Sequence, residues 1–103
     1  MQKSWSSLTK RLDLEEVHTK IQNIEQEWDH TDVPFWLQQL EFQLELTGVK
    51  SQWLKRLITQ RQLPQNIQKE LKWLLSKNKE QAGNTAYYDL KVKLLKNYGP
   101  TMS

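Results

Sequence analysis

The chain contains no cysteine. That one absence removes disulfides, zinc knuckles, iron–sulfur ligation and thiol catalysis, and it fits a reducing compartment. Glycine and proline are scarce, three of each, and nearly all of them stand where a helix would begin or end. With its glycines isolated, the chain has no phosphate-cradling loop. No apolar run approaches the roughly 20 residues that a bilayer span takes. The opening MQKSWSSLTK lacks the apolar core of a signal peptide. A soluble, intracellular, cytoplasmic protein with no membrane partner is expected.

Catalytic constellations are missing as well. His18 and His30 stand twelve apart and match neither HExxH, a metal-spaced pair nor a triad. Glu15 with Glu16, and Glu25 with Glu27, read as a solvated helix face, because carboxylate acid–base chemistry needs convergence in an apolar cleft. The expectation is a protein that is not an enzyme, with no catalytic residue, cofactor, metal or small-molecule substrate.

What is present is a single domain's worth of core. The 103 residues are 37% hydrophobic, with five Trp, three Tyr and two Phe. Each large side chain contributes on the order of 1.5 to 3 kcal/mol when fully buried, so a few aromatic anchors carry much of the stability. The net charge of +3 hides a split. Residues 1–47 hold four Lys/Arg against nine Asp/Glu, and residues 48–103 hold eleven against three. Such polarity serves nucleic-acid binding by the basic half, head-to-tail association of copies, or plain solvation.

Periodicity and punctuation predict about five helices. Over residues 6–28, Leu14, Val17, Ile21, Ile24 and Trp28 follow a 3-4-3-4 spacing that makes one apolar seam. A second helix is introduced by "TDVP" and ended by Gly48. A third runs from Ser51 to Gln62, with Leu54, Leu57 and Ile58 inward, and Pro64 breaks it. A fourth runs from Pro64 to about Lys77 on Ile67, Leu71, Leu74 and Leu75. SKNKEQAGNT reads as a polar loop. A fifth runs from Asn84 or Thr85 to Tyr98, with Gly99 and Pro100 as a stop.

The second helix carries an ambiguity. In DVPFWLQQLEFQLELTGV, Leu40, Phe42, Leu44 and Leu46 alternate with polar residues as a half-buried strand would. The filling residues are helix formers, however, and at about 100° per residue the pattern resolves into two stripes. Val33, Trp36, Leu37, Leu40 and Leu44 share one face; Phe35, Phe42 and Leu46 share the opposite one. A two-faced helix must be covered on both sides, either by the first helix or by another molecule. Phe35, Phe42, Leu46, Leu14, Val17, Ile21, Ile24 and Trp28 are therefore the candidate protein-interaction residues.

Among the basic residues, Lys50, Lys55, Arg56, Arg61, Lys69 and Lys72 are candidate RNA contacts, with Trp53 and Trp73 available to stack on bases.

The order of these features resembles a known family. Phe35-Trp36-Leu37 and Leu40-Glu41 follow an acidic, proline-containing cap, and Gly48-Val49 closes that helix. Leu63-Pro64 follows the next one, and Tyr88-Asp89-Leu90-Lys91 lies in a last helix ending in Tyr98-Gly99. Residues 32–100 resemble the N-terminal lobe of the capsid region of Gag from LTR retrotransposons, gypsy-like or BEL/Pao-like. The resemblance implies an all-α lobe that self-assembles into a virus-like shell around the element's RNA and catalyses nothing. Domesticated relatives of the Arc type keep the lobe, and some use its hydrophobic groove for peptides.

The expected architecture is an all-α, compact bundle of about five helices, with an amphipathic helical extension over 1–31, the lobe over 32–100 and a tail over 101–103. The second helix is expected at its centre, and Trp36, Leu40, Leu44, Leu57, Ile58, Leu71, Leu74, Leu90 and Leu94 in its core. The expected function is homo-oligomeric, capsid-type self-association. Two alternatives stand beside it: an adaptor for a peptide or partner helix, and a nonspecific RNA-binding module using the basic half.

Overall fold

The structure is a computed structural model that describes residues 22–100, and every structural statement below concerns those residues. Their regular elements are all helices, without strands.

The first described helix, α1 (Val33–Leu46), starts where Asp32 accepts a hydrogen bond from the Phe35 N–H at 3.2 Å, with Pro34 in the first turn. It ends at Gly48, whose φ of +76° is the left-handed conformation that glycine adopts without strain. There the Val49 N–H donates to the Leu44 carbonyl at 2.9 Å and the Gly48 N–H to Glu45 at 3.0 Å, the two bonds of a Schellman cap. Leu44 and Val49 are both core residues, so the cap also closes an apolar contact.

Helix α2 (Gln52–Gln62) is capped by Ser51, which accepts from the Leu54 N–H at 3.3 Å. Pro64 prevents its continuation. The Gln68 side chain donates to the carbonyls of Gln60 (3.1 Å) and Leu63 (2.8 Å), satisfying groups that the helix end leaves open. Helices α3 (Gln65–Glu70) and α4 (Lys72–Leu75) are separated by Leu71 alone, so the expected fourth helix is present with a bend.

The expected loop at 76–85 is mostly helical instead. Asn78 and Gln81 form a reciprocal capping box that starts the single turn α5 (Lys79–Ala82), and a 3-10 turn (Gly83–Thr85) leads into α6 (Ala86–Tyr98). The capping bonds start a turn whose residues, Lys79 to Ala82, are good helix formers despite their polarity.

Trp36, Leu40, Leu44, Ile58, Leu71, Leu74, Leu90 and Leu94 are buried as expected, together with Ile24, Val33, Leu37, Val49, Leu63 and Ile67. Leu57 is only half-buried, a correction to its assignment as core. Arg56, Ile58 and Thr59 take the interior positions of α2 and leave Leu57 at the edge of its buried surface. The second expected helix, α1 here, is not central either. Helices α2 and α6 form the most extensive pairing, and α1 packs on with one face while the other points outward.

The expected helix over 6–28 does not extend to Trp28: residues 24–29 are non-helical. Tertiary bonds outweigh the helical periodicity there. The Gln62 side chain donates to the Ile24 carbonyl at 2.9 Å and accepts from the Gln26 N–H at 3.1 Å, and the Trp36 indole donates to the Gln26 carbonyl at 3.2 Å. Trp28 stacks edge-on against Trp36 at 4.8 Å and Tyr98 at 6.2 Å between ring centroids. Among the described residues the core therefore includes Ile24, within the expected extension. Leu14, Val17 and Ile21 lie outside the described residues.

Candidate interaction surfaces

Phe35, Phe42 and Leu46 recur at intervals of seven and four, which places them in one line along α1, about 16 Å from first to last. They are 53%, 57% and 71% exposed. The side of α1 that carries Trp36 and Gln43 is the side that residues 24–28 cover. Gln43 donates to the side chain of Gln26 and to the Glu25 carbonyl, which brings the exposed Glu25 to one flank of the line. Exposed Glu45 stands on the other flank. The result is an apolar ridge with a carboxylate on each flank, Glu25 sharing a cleft with Arg61 and Glu45 one with Lys50 and Lys55.

Ile24 and Trp28, expected to share in such an interaction face, do not. Ile24 is in the core and Trp28 is packed against it, because the segment carrying them is stitched inward by Gln62 and Trp36.

A second surface lies between α4 and α6. Trp73 (55% exposed), Tyr88 (60%) and Val92 (43%) border a cleft of about 350 Å³ that Leu74, Asp89, Lys77 and Lys93 complete. Tyr88 and Val92 are one turn apart on α6 and so present a common face. The ammonium groups of Lys93 and Lys77 stand 5.3 and 5.7 Å from the centroid of the Trp73 ring, within cation–π range. This is an aromatic cleft with a basic rim. In the sequence, Trp73 stands apart from the helical stripes. Nothing local shows that α6 supplies Tyr88, Val92 and Lys93 beside it.

The candidate RNA contacts do not converge. Arg56 is 3% exposed and unavailable to phosphate: its guanidinium donates to the Lys77 carbonyl at 2.9 Å and lies 4.2 Å from the centroid of Trp53. Trp53 is thereby half-buried and stacked within the fold. The physical reason is the position of Arg56 opposite the end of α4, where carbonyls beyond the last helical turn need donors and the helix dipole favours a cation. Lys50 and Lys55 border a cleft of about 290 Å³ beside Glu41 and Glu45. Arg61 neighbours Glu25 and Glu27, and Lys69 and Lys72 are exposed on α3 and α4.

In the Lys50 cleft, the Glu41 carboxylate accepts from the Tyr87 hydroxyl at 2.9 Å and pairs with Lys91 at 2.8 Å. Burial, and next the adjacent carboxylate, push the Tyr87 phenol well above its ordinary pKa. A phenol held protonated against a paired carboxylate is a latch between α1 and α6; it provides neither nucleophile nor base at neutral pH. Among the described residues no three His, Asp or Glu side chains cluster as a metal site, and no helix is long and apolar enough to cross a membrane.

No protein-family model matches the chain, and no curated protein or solved structure matches it. Fold and surface together define an all-helical bundle that presents a carboxylate-flanked apolar ridge and a lysine-rimmed aromatic cleft.

Proposed function

We propose that the chain is a non-catalytic association module: a capsid-type Gag lobe that binds further copies of itself, in a cytoplasmic setting. The observation that carries this reading is the ridge of Phe35, Phe42 and Leu46, three large apolar side chains aligned on one helix and more than half exposed. An aligned ridge of this kind marks a partner surface, whereas solitary exposed apolar residues need no explanation. The ordered motifs of residues 32–100 give the partner its identity, since the family they resemble assembles with itself.

Sedimentation velocity across a concentration series is the direct test. Wild-type protein is expected to shift reversibly to larger species as concentration rises. Phe42→Asp is expected to remain monomeric with an unchanged helical spectrum and an unfolding free energy within about 0.5 kcal/mol of wild type, as for an exposed site. A wild-type chain that sediments as a monomer throughout would remove the reading. If Phe42→Asp unfolds the bundle instead, the ridge is internal to the fold.

A further inference from the structure

We propose that the ridge of one copy docks into the Trp73 cleft of the next, so that copies join head to tail. This rests on the self-association reading and specifies its geometry. The two surfaces lie on different elements, the ridge on the outer face of α1 and the cleft between α4 and α6. Each is exposed, and each is apolar at its centre.

Charge decides which surface meets which. Among the described residues, 22–47 contain six Asp/Glu and no Lys or Arg, whereas 48–100 contain eleven Lys/Arg and three Asp/Glu. Among the described residues the two sets meet in one ion pair, Glu41 with Lys91, and five of the six acidic and six of the eleven basic residues are exposed. Ridge on ridge would set Glu25 and Glu45 of one copy against the same carboxylates of the other. Cleft on cleft would oppose Lys77 and Lys93 to themselves. Ridge in cleft joins apolar centre to apolar centre and flanking carboxylates to basic rim, the one arrangement in which both terms are favourable. Such a contact is heterologous: each added copy leaves one ridge and one cleft unused, so growth continues into a chain or closes as a ring.

Single-stranded nucleic acid is the competing occupant of the cleft. Trp73 offers a stacking face, but Val92 and Leu74 beside it suit an apolar side chain.

Complementation by two variants tests the geometry. Phe42→Asp spoils the ridge and leaves the cleft; Trp73→Asp does the reverse. Each alone is expected to associate at least about 30-fold more weakly than wild type, the loss typical of an interface anchor. Mixed, they are expected to form one-to-one dimers and nothing larger, because only one productive ridge–cleft pair exists per dimer. Lys93→Glu paired with Phe42→Asp in one chain repeats the test with charge alone: that double variant should lose the dimer formed with Trp73→Asp.

Continued association of Trp73→Asp alone would show that ridges pair with ridges and overturn the proposal, while leaving self-association standing. So would a mixture that stays monomeric while wild type associates and both variants keep wild-type helical spectra and unfolding midpoints. A wild type that never associates removes the proposal and the function beneath it together. If Trp73→Asp abolishes binding of a labelled single-stranded oligonucleotide while self-association is unchanged, the cleft belongs to nucleic acid and the proposal fails.

Discussion

Tyr87 is buried, and its hydroxyl donates to Glu41, which also holds Lys91. Its folded pKa is raised by burial and by the carboxylate, while in the unfolded chain a tyrosine ionises near 10. Below about pH 10 the phenol is protonated in both states and its contribution is complete. Above that, the unfolded chain releases a proton that the folded one keeps, so stability falls as pH rises. Tyr87→Phe is expected to cost about 1 kcal/mol at neutral pH through the lost hydrogen bond. Urea midpoints of the two proteins should converge above about pH 10; a constant difference would mean that Tyr87 is not the titrating group. Arg56 makes the complementary point about single residues. By type it belongs with the phosphate-binding cations, and by position it serves the carbonyl of Lys77, which no count of basic residues shows.

At the scale of elements, most boundaries are written in local chemistry. Asp32, Ser51 and Asn78 cap the helices that follow them, and Gly48 with Val49 closes α1. Because Gly48 has a φ of +76°, Gly48→Ala is expected to destabilise the fold by about 1 to 2 kcal/mol, the cost of a side chain in the left-handed region. A methyl group added at Gly48 would meet no atom within 4 Å, so the loss is conformational and Gly48→Asn should recover much of it. Urea unfolding of the three proteins measures this, and equal midpoints for Gly48→Ala and wild type would contradict it. Other boundaries come from distant side chains. Gln52 accepts from the Tyr87 and Tyr88 N–H groups at 3.1 and 3.0 Å and so caps α6 from α2. Gln62 bonds to residues 24 and 26 in the same way, and the seam read as helical through Trp28 stops short there.

For the whole molecule the dominant feature is electrical. Among the described residues, 22–47 are acidic and 48–100 basic, and the proposed contact between copies joins the one to the other. Exposed charges are screened over about 10 Å at 0.1 M salt and about 3 Å at 1 M. Self-association in sedimentation velocity is therefore expected to weaken as sodium chloride rises from about 0.05 to 0.5 M, with folding little affected. Association that held constant or strengthened with salt would mean apolar burial alone joins the copies.

The sequence by itself determined that this chain is a helical bundle, because spacing, capping residues and proline or glycine stops are local properties that act within a turn or two. It also separated the two faces of α1: Trp36, Leu40 and Leu44 are interior, and Phe35, Phe42 and Leu46 are exposed. What covers Ile24 and Trp28, what Arg56 bonds to, and that Lys77 and Lys93 bracket Trp73 were decided only by tertiary structure. Those relations join residues far apart in the chain through hydrogen bonds, ring contacts and packing between helices. Periodicity reports which face of a helix is apolar; only the packed bundle decides which apolar faces meet each other and which are left for a partner.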